Sequence, residues 1–170
     1  KKRRSSASKL VKQASSVLAS LAMAHCKLEI ALSPRESEAP HPHGSEDVEF
    51  LISTNPGAPT QPLGKIASGG ELSRISLAIQ VVTASTGTVP SMVFDEVDVG
   101  IGGAIAEVVG KLLSDLAGNA QILCVTHLPQ VAAQGHQHLR GSKTSSDKTV
   151  ENSLSQLNED VKVQERGRRR

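Results

Sequence analysis

Between residues 66 and 127 the chain switches twice from a helix-spaced apolar stripe to a short run of consecutive apolar residues, and few architectures accept that alternation. Leu72, Ile75, Ile79 and Val82 recur at threes and fours, which places them on one helix face. Residues 86–90 break that helix, and Met92-Val93-Phe94 then reads as a buried strand. A glycine-rich turn at 101–103 leads into a second stripe, Ile105, Val108, Leu112 and Leu116. Residues 121–126 read as another buried strand. The pattern predicts an α/β layered domain with a parallel sheet.

Upstream, residues 5–25 predict a helix. Leu10, Ala14, Val17, Leu21 and Ala24 step by alternating fours and threes, a spacing shared by a coiled-coil seam and by an ordinary amphipathic helix packed on its own domain. Residues 26–32 and 48–54 alternate enough to be strands, the second closed by the turn Asn55-Pro56-Gly57. Residues 33–45, rich in Pro, Glu and His, predict a solvated loop. His41 and His43 lie there without a carboxylate or thiol spaced to complete a metal site.

The 170 residues suit one modest domain. With 2 Phe and no Trp or Tyr, aliphatic side chains must build the core, and the scarcity of rings argues against a stacking platform for single-stranded nucleic acid. Net charge is only +2, but basic residues bunch at the ends: Lys1, Lys2, Arg3 and Arg4, then Arg166, Arg168, Arg169 and Arg170. They read as solvated tails, with weak contact to a polyanion as the alternative. Cys26 and Cys124 sit far apart in apolar surroundings, which predicts reduced, buried thiols and a cytoplasmic location. No stretch has the apolar length to cross a bilayer, and no apolar run follows the basic N-terminus as a signal peptide requires.

Three short motifs carry chemistry. Ser68-Gly69-Gly70 directly precedes a helix, where unpaired backbone N–H groups and the positive end of the dipole favour a phosphate; a plain capped helix start is the alternative. Asp95-Glu96 ends an apolar strand. One carboxylate there can orient Mg²⁺ while its neighbour polarises an attacking water, or both can be idle and solvated. His127 closes the last strand, placed either to reach a γ-phosphate or to act as a capping histidine.

Their order and wording are more specific than any one of them. Ala67-Ser68-Gly69-Gly70-Glu71-Leu72-Ser73-Arg74, the run from Val93-Phe94-Asp95-Glu96 to Gly103, and Cys124-Val125-Thr126-His127-Leu128-Pro129-Gln130 together resemble the ATP-binding-cassette ATPases of the SMC type. The likeness runs from the N-terminal helix to Lys143 and is strongest over 48–133. It implies the C-terminal lobe of an ATPase head (residues 26–143), preceded by the end of a coiled-coil arm helix (1–25) and followed by a polar basic tail (144–170).

By that resemblance Ser68, Gly69, Gly70 and Glu71 form the signature motif, which contacts an ATP held by the opposite subunit. Asp95 supports Mg²⁺, Glu96 is the catalytic base and His127 the switch histidine, while Asp98 belongs to a loop crossing between subunits. The implied activity is ATP hydrolysis by a DNA-repair ATPase acting in recombinational repair of double-strand breaks, near the nucleoid. The implied partners are an N-terminal half or second copy of the head, and DNA through the full assembly.

A phosphate loop of the form G-x-x-x-x-G-K-[ST] is absent. Gly64-Lys65 runs into Ile66, and in Gly141-Ser142-Lys143-Thr144 a serine separates glycine from lysine. The chain alone is therefore expected to be inactive, with ATP and Mg²⁺ bound only when an N-terminal half completes the site. Two other readings remain open at this level: a non-catalytic module docking on a complete head, and a transporter-type nucleotide-binding domain, against which the string after Glu96 and the lack of a membrane-coupling segment both count.

Overall fold

The computed structural model of the chain describes residues 1–36, 41–66, 68–84, 89–145 and 150–157. Helix α1 (Lys2–Ser20) buries Ala14 and Leu18. It starts earlier than the spacing predicts: Lys1, Lys2 and Arg4 are exposed as a solvated end would be, but Arg3 is tied down. Arg3 donates to the backbone carbonyls of Glu46, at 3.1 Å, and His43, and its guanidinium lies 3.8 Å from the Glu46 carboxylate. The helix also ends earlier, before Ala24. Ala22 adopts φ +60°, and the N–H of Met23 reaches back to the carbonyl of Leu18 at 3.0 Å, the pairing that closes a helix through a left-handed residue.

Strands β1 (Lys27–Pro34) and β2 (Glu46–Ser53) pair antiparallel, with Leu28 opposite Ile52, and β3 (Gln61–Pro62) adds to β2. The two upstream strands predicted from alternation thus form their own antiparallel sheet, outside the parallel one. In the connection, His41 Nδ1 accepts the N–H of His43. After a 3₁₀ turn at Leu63–Lys65 comes α2 (Gly69–Thr83), which buries Ile75, Leu77 and Ala78 and packs on α1.

The predicted alternation follows. Strand β4 (Ser91–Phe94), helix α3 (Gly103–Leu116) and strand β5 (Gln121–Cys124) form a βαβ unit whose strands are parallel, Phe94 facing Cys124. Helix α4 (Pro129–Ala132) packs on α3. One continuous apolar core joins Leu18 and Leu21 to Ile75, Val97, Val109 and Leu116.

Neither strand of the unit is buried as its uniformly apolar sequence predicts. Val93 is 70% exposed, Val125 60% and Leu123 44%. Val93 and Leu123 are register partners, so they share one sheet face. Helix α3 lies against β5, but among the described residues nothing covers that face. A strand that is apolar on both sides belongs in a sheet covered on both sides.

Finally, β6 (Leu139–Ser145) and β7 (Val150–Gln156) form an antiparallel hairpin, with Ser142 and Ser153 hydroxyls 2.7 Å apart. Regular structure therefore runs into the segment read as a polar tail; residues 158–170, including the basic cluster at 166–170, lie outside the described residues. No described helix is long and apolar enough to cross a membrane.

Candidate functional site

Helix α2 starts where its sequence says it must. Ser68 is extended (φ −96°, ψ 116°), and its hydroxyl accepts the N–H of Glu71 at 3.3 Å. Glu71 also places a carboxylate in the first turn, where the helix dipole favours it. The two glycines between them serve different contacts. A Cβ at Gly69 would collide with the Glu96 carboxylate. A Cβ at Gly70, which is buried, would stand 3.2 Å from both Cβ and the carbonyl oxygen of Val99.

Those contacts bring in the turn that follows β4. Asp95 Oδ1 accepts the N–H of Glu96 at 2.9 Å, which fixes the turn at its first residue. Glu96 then adopts φ +59°, a left-handed conformation that β-carbon sterics resist. That backbone reversal sends the Glu96 side chain onto the first turn of α2 and lets Val97 drop into the core. Arg74, one turn along α2 from Gly70, donates from Nη1 to the carbonyl of Val99 at 2.7 Å. Its Nε is buried without a hydrogen-bond partner, and burial holds its pKa below the usual arginine value, against the opposing pull of Glu71.

On its other side the same turn grips the end of β5. Asp98 is buried. Its Oδ2 accepts the Thr126 hydroxyl and, at 3.2 Å, the backbone N–H of His127, and stands 3.5 Å from His127 Nδ1. Thr126 Oγ1 in turn accepts the N–H of Leu128 at 3.0 Å. The His127 side chain itself is largely exposed.

The sequence-derived residues therefore fall into two groups joined by one turn. Ser68 caps Glu71, and Gly69 between them meets Glu96 within the same chain, while Asp98 meets His127. Asp95 is exposed at the outer corner. Among the described residues no three His, Cys, Asp or Glu side chains converge as a metal cage. That donor set fits Mg²⁺ only in the manner usual for nucleotide enzymes, with one or two protein carboxylates and the remaining positions left to phosphate and water. Sequence reasoning assigned no role to Arg74 or Thr126. Both stand inside the quoted strings, but their partners are backbone atoms and a carboxylate 25 to 28 residues away, which spacing cannot reveal.

No protein-family model matches the chain. Curated relatives do. It is 55% identical over 145 residues to the DNA repair protein RecN of Xylella fastidiosa (strain Temecula1), covering 85% of this chain and 26% of that protein. It is 48% identical over 160 residues to RecN of Vibrio cholerae, covering 94% of this chain and 28% of that one. The chain belongs to the RecN family. It matches the C-terminal part of RecN and spans about a quarter of the length of these relatives.

Solved structures agree on the fold of this chain. The Smc head domain of Pyrococcus yayanosii, with coiled coil and joint, matches with TM-score 0.62 at 18% identity, covering 94% of this chain and 28% of that one. The Pyrococcus furiosus Smc head bound to the C-terminal domain of ScpA matches with TM-score 0.57 at 19% identity, covering 94% and 38%. The chain thus shares the α/β fold of the Smc head domain.

Proposed function

We propose that this segment supplies the signature motif and the acidic strand end to a composite ATP site of a RecN-type ATPase working in recombinational repair of DNA double-strand breaks. The observation that carries the reading is the turn at 95–98, which brings Glu96 to Gly69 at the start of α2 and Asp98 to His127, in a chain 55% identical to a RecN. In this reading residues 1–25 are the returning end of a coiled-coil arm, 26–143 the head lobe and 144–170 its tail. The uncovered face of β4 and β5 is where the rest of the head packs.

Ser68 and the α2 N-terminus offer backbone N–H groups to the γ-phosphate of an ATP held by a second head. Glu96 takes a proton from the attacking water, and His127, exposed at the end of β5, orients toward the phosphate. Asp95 would hold Mg²⁺, which supplies charge neutralisation on the phosphates when bound. Partners are a complete or N-terminal head segment, a second copy, and DNA through the full assembly, in the cytoplasm. A solved SMC structure of ATP-driven dimerization and DNA-stimulated activation, similar in fold to this chain, supports a dimer of heads.

The test is ATP hydrolysis by the chain alone and after mixing with a separately made N-terminal segment of the Xylella fastidiosa RecN. Turnover should appear only on mixing and vanish with Glu96→Gln. The bare apolar face of β4 and β5 also suits a second reading, a non-catalytic module that docks on a complete head. Binding between the pieces with no turnover at any ratio would decide for that one.

A further inference from the structure

We propose that Asp98 is a positioning residue for His127, acting within its own chain instead of across a subunit boundary. The proposal rests on the reading of His127 given above.

Three groups from two adjacent residues converge on one buried carboxylate: the Thr126 hydroxyl, the His127 N–H and His127 Nδ1. A buried carboxylate is tolerated only where such donors meet it, and the donors are held in return. Thr126 is fixed from both sides, donating to Asp98 and accepting from Leu128. The backbone of residues 126–128 is thereby pinned while the imidazole stays exposed. Asp98 also sits two residues from Glu96, with the buried Val97 between them. One short turn therefore sets Glu96 against α2 and His127 at the end of β5, so the two move as a unit. With its carboxylate turned inward, Asp98 reaches a nucleotide only through His127.

The experiment compares Asp98→Asn, His127→Ala and their combination in this chain mixed with the N-terminal RecN segment, together with backbone amide exchange of residues 126–128 in the chain alone. Asp98→Asn should lower kcat about tenfold while leaving KM for ATP within about twofold, since a charge-assisted contact to a positioned group is lost. The double variant should be no slower than His127→Ala, because both changes remove one device. His127 amide exchange should accelerate in Asp98→Asn. Thr126→Val, which keeps the carboxylate, should show the same acceleration with a kcat loss of about threefold, and it carries the test if Asp98→Asn does not fold.

A normal kcat for His127→Ala would sink the reading of His127 and this proposal with it. Slow His127→Ala with normal Asp98→Asn, or single losses that multiply in the double variant, would overturn the Asp98 proposal alone. Unchanged amide exchange in both Asp98→Asn and Thr126→Val would overturn it too.

Discussion

Gly69 and Gly70 are neighbours in one motif, yet a methyl group added to each meets a different obstacle. At Gly69 the obstacle is the far end of the Glu96 side chain, which can swing away. At Gly70 it is the backbone carbonyl of Val99, held in place by Arg74. Gly69→Ala should therefore leave stability within about 0.5 kcal/mol of the parent, with alanine's better helix propensity offsetting the displaced carboxylate. Gly70→Ala should cost about 1–2 kcal/mol, since the turn must shift by a few tenths of an ångström. Urea denaturation of the two variants measures the difference, and equal midpoints would refute the asymmetry. Of this geometry only the glycines were legible in the sequence. That Glu96 turns back onto α2 follows from a positive φ, which a glutamate does not announce.

Among the elements, β4, α3 and β5 were readable because their signals are local: consecutive apolar residues for the strands and a threes-and-fours stripe for the helix between them. The pairing of β1 with β2 was not, since alternation identifies a strand without naming its partner. The β6–β7 hairpin was missed because its strands are serine-rich and carry no alternation to read. The end of α1 was missed for a third reason. Its closing residue is an alanine, where glycine is the usual choice, and the stop is written in the bond from Met23 to Leu18. Ala22→Gly should accordingly raise stability by about 0.5–1 kcal/mol, the relief of a left-handed β-carbon exceeding the added freedom of the unfolded chain. Thermal melting would check it, and a lowered midpoint would mean that the left-handed residue is not strained.

At the scale of the whole molecule, two properties come from what is and is not covered. Val93 and Leu123 leave an apolar sheet face bare among the described residues, and Val125, just past β5, is exposed too. Val93→Lys should therefore reduce self-association of the chain, seen as a lower mass in light scattering, and weaken its capture by the N-terminal RecN segment at least tenfold. Unchanged capture would mean that another surface joins the two. The thiols, which the sequence predicts to be buried and the structure leaves half-buried, give a pH dependence. Burial first, then Glu71, pushes the Cys26 thiol up to about 11; burial first, then Asp98 and Asp95, does the same for Cys124. The folded chain thus keeps two protons that the unfolded chain releases near pH 9, so this part of the stability is whole below about pH 9 and lost as pH rises toward about 11. A Cys26→Ala/Cys124→Ala chain should show a flatter decline of the urea midpoint over that window, and an equally steep one would assign the decline to other groups.

The left-handed backbone at Glu96 has a reading in terms of selection. A library of all residues at position 96, sorted only for folded protein, should enrich glycine and asparagine, which accept that conformation most readily. The same library sorted for survival of DNA damage in cells should keep glutamate. A residue at which the two pressures point in opposite directions is maintained for something other than the fold, and the contest between the two sorted pools would reveal it without any nucleotide being added.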